Sequence, residues 1–181
     1  GLFLVDPVMG DNGEVYATYT PEMTARMGEL CARADLITPN VTEAAILLGK
    51  RPDAAVRDAE EAADWCAALH ERYHAQIVLT GLELSPEEIT VACCADGNTA
   101  YIRHARLGGF YPGTGDIFAS VLLGSLLGGS SLTDSAAKAG AFVCACIGYT
   151  AAQHTDPMHG VQFEPLLGRL CPPQESKTAH Q

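Results

Sequence analysis

The sequence predicts an α/β fold with a mainly parallel central sheet, on three observations. A continuous apolar run at residues 2–5 and short segments at 36–38 and 77–80, apolar up to their closing threonines, read as buried strands. The segments between them repeat apolar residues at helical spacing, so strand and helix alternate along the chain. The 181 residues are 48% hydrophobic and 18% charged, which excludes a disordered chain and leaves enough apolar mass for a core.

The elements follow in order. The first run ends at Asp6. A loop marked by Pro7, Gly10 and Asn12-Gly13 comes next, and residues 14–19 form a short strand or flap. From Pro21, the residues Met23, Met27, Leu30, Cys31 and Ala34 share one helix face, with Pro21 suited to a first turn. The second strand, 36–38, is stopped by Pro39, and a short helix over 42–48 ends at Gly49. A helix over 58–73 lines up Ala62, Trp65, Cys66, Leu69 and Tyr73, and the third strand follows it. Residues 90–95 and 99–104, joined by Asp96-Gly97-Asn98, read as a hairpin. A Gly-rich loop covers 107–115. Residues 116–127 form a helix that is apolar almost all round, which predicts a central position. A long helix runs from Leu132 to about Ala152, with Ser131 as N-cap and Asp134 three residues on. No repeat or linker composition interrupts the chain, so residues 1–171 read as one domain and 172–181 as a flexible polar tail.

Charge and cysteine content exclude several functions. The net charge of −11 excludes nucleic acid and anionic membrane as main partners, since both need a basic face. The seven cysteines form no CxxC pair and no zinc spacing, and read as small buried hydrophobes of a cytoplasmic protein. Cys93 and Cys94 are adjacent, so on a strand they point to opposite faces. The apolar stretches 117–129 and 139–152 fall short of the roughly 20 residues that span a bilayer. The chain opens inside an apolar strand without an initiator Met, as a chain does whose beginning is missing.

Three strand-to-loop junctions carry the chemistry, and a parallel sheet gathers such junctions on one edge, where ligands bind. The first is Asp6-Pro7-Val8-Met9-Gly10-Asp11. The second is Thr38-Pro39-Asn40-Val41-Thr42-Glu43. The third is Gly113-Thr114-Gly115-Asp116, at the start of an apolar helix. Taken singly, turn chemistry and helix-start chemistry account for each. Together they place carboxylates, a Thr/Asn pair and a glycine-rich helix start side by side. Backbone N–H groups and the helix dipole make such a start a cradle for phosphate. An Asp beside it suits a base that takes a proton from an attacking hydroxyl. With few basic residues present, Mg²⁺ would supply the positive charge.

In that order and spacing, the three motifs resemble the pyridoxal/pyridoxamine kinase branch of the ribokinase-like superfamily. The stretches Gly109-Phe110-Tyr111-Pro112-Gly113-Thr114-Gly115-Asp116-Ile117-Phe118 and Thr155-Asp156-Pro157-Met158-His159-Gly160-Val161-Gln162-Phe163-Glu164 look most like the bacterial pyridoxamine kinases. The resemblance implies a three-layer sandwich of which the N-terminal part is missing, the chain being roughly the C-terminal two-thirds of the domain. It implies ATP-dependent phosphorylation of the 5′-hydroxymethyl group of a vitamin B6 vitamer, with Asp116 as base. Gly113, Thr114 and Gly115 would form the anion hole, Asn40 would contact the ATP phosphates, and Leu107, Gly108 and Gly109 would run along the nucleotide. Asp11 and Glu43 would hold Mg²⁺, largely through water. Asp6, Thr38 and Thr80 would line a site for a monovalent cation, K⁺. Tyr16 would close over the substrate. A homodimer is implied as well. Two alternatives stand beside this reading. One is a hydroxymethylpyrimidine (phosphate) kinase, a branch that usually has Gly-Thr-Gly-Cys where this chain has Gly-Thr-Gly-Asp. The other is an inactive chain that only binds nucleotide or a partner.

Overall fold

The computed structural model describes residues 1–95 and 97–171. The segment 172–181, read above as a tail, and Asp96 of the hairpin turn lie outside the described residues. Five strands make the main sheet: β1 (Leu4–Val5), β4 (Leu36–Ile37), β5 (Gln76–Leu82), β6 (Glu88–Ala95) and β7 (Asn98–Ala105), side by side in that order. The first three are parallel, with Leu4 beside Leu36 and Ile37 beside Ile77. The last two form an antiparallel hairpin, with Cys93 facing Ala100, and β6 pairs antiparallel with β5, where Val78 faces Cys93. Two further strands of two residues each, β2 (Gly10–Asp11) and β3 (Glu14–Val15), pair antiparallel as a small separate ribbon.

Helices cover both faces. On one lie α1 (Pro21–Cys31), α2 (Val41–Leu47) and α3 (Ala59–Tyr73); on the other lie α4 (Thr114–Leu127) and α5 (Leu132–Ala152). The period of two along each strand divides the core between them. Ile37, Ile77, Leu79 and Cys94 pack with Cys31, Ala44, Leu47, Trp65, Cys66 and Leu69. Leu36, Val78, Val91 and Cys93 pack with Phe118, Leu122, Ala136, Ala139, Phe142 and Cys146. Cys93 and Cys94 thus serve opposite layers, as their adjacency requires. Each fully buried Leu or Ile side chain stabilises the fold by about 1.5–3 kcal/mol, and both layers hold several.

The helix starts follow from their capping residues. Thr20 accepts the Met23 N–H ahead of Pro21, Asp58 accepts the Glu61 N–H, and Ser131 accepts the Asp134 N–H at 3.1 Å. α4 departs from its expected position. Its buried residues Phe118, Ala119, Val121, Leu122 and Ser125 face the sheet and α5, while Asp116, Ser120 and Leu127 are exposed. It flanks the sheet instead of lying at its centre. Its composition, rich in Gly, Ser and Ala, serves a close helix–helix approach. By length and composition α5, at 21 residues, could cross a membrane; its buried Ala136, Ala139, Phe142 and Cys146 pack toward the sheet. β1 forms one edge of the sheet, with Leu2, Phe3 and Val8 exposed around it.

Where α5 crosses β7, the His104 imidazole fills the space beside Gly140: a Cβ there would meet His104 Nε2, Cδ2 and Cε1 all within 2.9 Å. Burial lowers the pKa of this histidine, so its neutral form is favoured. Gly140→Ala is expected to cost about 1–3 kcal/mol by overpacking. Adding His104→Ala should recover part of that loss, as measured by urea unfolding of the two single variants and the double. Independent, additive effects would contradict the contact.

Candidate active site

The carboxyl ends of β1 and β4 deliver the first two motifs to the same edge. Thr38 Oγ1 donates to Asp6 Oδ1 at 2.9 Å, joining them directly. Burial first, and the negative charge of Asp116 as well, raise the pKa of Asp6, while the Thr38 bond opposes the shift. Asp116 therefore stands close to Asp6, although it comes from the opposite helical layer. A Cβ on Gly115 would lie 4.0 Å from Asp6 Oδ2.

α2 begins with a reciprocal cap. Asn40 Oδ1 accepts the Glu43 N–H, and Glu43 Oε2 accepts the Asn40 N–H, each at 2.9 Å. The same two side chains reach across to the first motif. Glu43 Oε1 accepts the Met9 N–H at 3.0 Å, and Asn40 Nδ2 donates to the Gly10 carbonyl at 2.8 Å. The Asn40 amide carries a second hydrogen, which keeps capacity for a phosphate oxygen. Glu43 is 4% exposed. Burial pushes its pKa up to about 7, against the backbone N–H groups that favour the anion.

The loop after β1 turns back as a hairpin. Asn12 (φ 51°) and Gly13 (φ 82°) form its two-residue turn, both in the left-handed region that this turn requires. Gly10 is fixed by space: a Cβ would lie 2.3 Å from the Glu14 carbonyl oxygen. The turn places Asp11 half-exposed, its oxygens accepting from the Asn12 N–H and Nδ2 at 2.9 and 3.2 Å. Tyr16 follows, its N–H donating to Met9 O at 2.9 Å. Burial, then the charges of Asp11, Glu43, Asp116 and Asp6, raise the pKa of its phenol. All four carboxylates thus lie near enough to act on the Tyr16 phenol, which is 40% exposed.

Thr80 sits at an irregularity of β5 between Leu79 and Leu82, beside Gly81 (φ 73°). There it pairs with Asn40 across an isolated parallel bridge, and its N–H donates to Pro39 O at 2.9 Å. The third motif enters through α4. Gly113 (φ 85°) is its N-cap and no side chain caps the helix. Its first N–H groups have no acceptor within the helix, and the dipole adds partial positive charge at that end. Leu107, Gly108 and Gly109 form an exposed stretch leading there. It turns at Gly109 (φ 102°), where the Tyr111 ring occupies the space a Cβ would need. A groove of about 680 Å³ runs from Gly113 and Asp116 along α4 toward Lys138 and Phe163. The segment with His159, Gly160 and Val161 forms its outer wall, and Gly160 packs against Pro112 O, where a Cβ would stand at 3.0 Å.

The expected site residues of the three motifs, with Tyr16, therefore meet at one edge. Among the described residues, no three His, Cys, Asp or Glu side chains form a metal-binding group. Asp11 offers a half-exposed carboxylate to a hard cation, whereas both Glu43 oxygens already accept N–H groups, which suits contact through water. Asp6 and Thr38 supply the oxygen donors that suit a monovalent cation.

Comparison with known proteins identifies the family. The family model described as phosphomethylpyrimidine kinase matches residues 2–161. The chain belongs to that family. A pyridoxal kinase of Dictyostelium discoideum is 29% identical over 136 residues, which is 68% of this chain and 43% of the relative. A crystal structure described as a putative phosphomethylpyrimidine kinase from Bacteroides thetaiotaomicron, in a form with pyridoxal, superposes with a TM-score of 0.87 and 34% identity. It covers 96% of this chain and 62% of that one. The pyridoxal kinase of Leishmania donovani in complex with ADP and pyridoxamine superposes with a TM-score of 0.79 and 25% identity, over 93% of this chain and 58% of that one. The chain spans under half the length of the curated relative and about three-fifths of the solved ones.

Sequence reasoning missed the hairpin as a unit and the contact between Gly160 and Pro112. The Asn-Gly pair was the available signal for the first; nothing local signals the second. One pH prediction follows for this family member. Folded Glu43 keeps its proton up to about pH 7, whereas the unfolded side chain releases it near 4.5. Between these values the folded state binds more protons, so this group's contribution is full below 4.5 and is lost as pH rises through 7. Asp6 acts in the same direction. Urea stability should therefore fall between pH 5 and 7.5, and Glu43→Gln should flatten that slope; an unchanged slope would remove Glu43 as its source.

Proposed function

We propose that the chain carries the phosphoryl-transfer site of a kinase that phosphorylates the 5′-hydroxymethyl group of pyridoxal, pyridoxamine or pyridoxine at the expense of ATP. One observation carries this reading. Of the four clustered carboxylates, Asp116 alone is exposed at the mouth of an uncapped helix N-terminus, and among the described residues no donor bonds its side chain. Asp6, Asp11 and Glu43 are each held by hydrogen bonds. A proton acceptor beside an anion cradle is what phosphoryl transfer to an alcohol needs.

In this reading Asp116 takes the proton of the hydroxymethyl group as its oxygen bonds to the γ-phosphorus. The bond from that phosphorus to the β–γ bridging oxygen breaks, and ADP leaves. The N–H groups of Gly113, Thr114 and Gly115 face the charge on the transferred phosphoryl group. Asn40 turns its remaining amide hydrogen to the phosphates, and residues 107–109 flank the nucleotide. Tyr16 covers the substrate. Mg²⁺ held by Asp11, and by Glu43 through water, would neutralise phosphate charge, and a monovalent cation at Asp6, Thr38 and Thr80 would do the same nearby. The ADP and pyridoxamine described for the Leishmania relative support the substrate pair. Free cysteines, with burial pushing the Cys66 and Cys93 thiols up to about 12, support a cytoplasmic setting.

The description of the matched family model, phosphomethylpyrimidine kinase, favours a second substrate class, hydroxymethylpyrimidine or its phosphate. The test offers Mg-ATP with pyridoxal or with hydroxymethylpyrimidine and follows the phosphorylated product. Pyridoxal is expected to react. Asp116→Asn should lower turnover by about 10²–10⁴-fold while ADP affinity stays within a few-fold. Reaction of hydroxymethylpyrimidine alone would transfer the reading to that substrate. Nucleotide binding without turnover would reduce it to binding, and near-normal turnover in Asp116→Asn would remove the base.

A further inference from the structure

The hairpin that carries Asp11 and leads to Tyr16 is tied to the rest of the chain through the first turn of α2. Two of the ties come from Asn40 and Glu43, which also cap the helix and belong to the proposed ligand set. The third comes from Thr42, which belongs to neither group. The Gly13 N–H donates to Thr42 Oγ1 at 2.9 Å, across 29 residues of sequence. Thr42 is 5% exposed. Gly13 is also confined on another side, where a Cβ would lie 3.2 Å from Asp53.

The hairpin has only two residues in each strand, with Gly10 opposite Val15 and Asp11 opposite Glu14. A two-stranded ribbon of this size does not hold itself in place. Its position is set by the bonds that reach it, and Thr42 holds the tip, next to Asp11.

We propose that Thr42 is a positioning residue for the phosphoryl-transfer site, fixing the Asn12-Gly13 turn and thereby where Asp11 and Tyr16 stand relative to Asp116. The proposal rests on the kinase reading above. Valine has the shape of threonine and cannot accept the Gly13 N–H, whereas serine keeps the oxygen.

The test compares the wild-type chain with Thr42→Val and Thr42→Ser. Hydrogen exchange is followed over residues 9–16, Mg-ADP binding by calorimetry, and turnover of pyridoxal by steady-state kinetics. Thr42→Val should exchange faster over 9–16 alone and lose about tenfold to a hundredfold in kcat, as small misplacements of site groups do, with a smaller change in the KM for ATP. Thr42→Ser should restore both. Should Thr42→Val fail to fold, Thr42→Cys, a weaker acceptor, takes its place with the same expectations. An active wild type with an equally active Thr42→Val overturns the role of Thr42 and leaves the kinase reading standing. A wild type that neither binds Mg-ADP nor turns over pyridoxal overturns the kinase reading, and the positioning role falls with it.

Discussion

The buried carboxylate of Glu43 is the constraint on which the rest of the site depends. It closes the cap of α2 with Asn40 and, through its other oxygen, holds the loop after β1. No cation pairs with it among the described residues. Burying an anion in this way costs several kcal/mol. Hydrogen bonds from backbone N–H groups to a charged acceptor return about 1.5–3 kcal/mol each. Burial outweighs the bonds, and the balance falls toward the neutral acid, which is why its pKa lies near 7. The side chain nevertheless joins two motifs more than 30 residues apart.

The remaining parts reach this anchor through topology. Parallel strands β1 and β4 end on the same side, so Asp6 and Thr38 meet there without any long-range signal in the sequence. β5 contributes at the point where its pairing becomes irregular, which turns Thr80 toward Asn40. The helix that bears Asp116 arrives from the opposite layer, with its N-terminus against Asp6. The site lies where both helical layers meet the end of the sheet. α4 brings Asp116 together with the cradle of N–H groups, and the strand ends with α2 bring Asp6, Asp11 and Glu43.

Much of this was legible in the sequence. The helices have long periods of apolar residues, and capping residues such as Ser131 and Asp58 mark their starts. The order of strand and helix, and the split of Cys93 and Cys94 between layers, follow from the period of two. The hairpin at residues 10–15 was not legible as a unit, because strands of two residues carry no period. The bonds from Thr42 to Gly13 and from Glu43 to Met9 cross 29 and 34 residues, and no local pattern encodes them. The central position expected for α4 failed for a related reason. Apolar composition tells that a helix has close neighbours, and the small residues of α4 meet that demand through α5 on one side.

Four carboxylates around one tyrosine pose an electrostatic problem that their environments divide among them. Glu43 is buried and fully bonded, and Asp6 is partly buried and tied to Thr38; burial moves both toward the neutral form. Asp11 and Asp116 lie nearer the surface. Placing ATP among these groups adds several more negative charges. The uncapped end of α4 offsets a fraction of one elementary charge. The arginines with ion-pair partners among the described residues are engaged elsewhere, on exposed carboxylates such as Asp53 and Glu83. In the proposed reading the balance of charge comes from bound cations, for which Asp11 and the Asp6–Thr38 pair present oxygens. On that reading an acidic chain of net charge −11 accepts a triphosphate with its own acids serving as cation ligands instead of its bases as phosphate ligands.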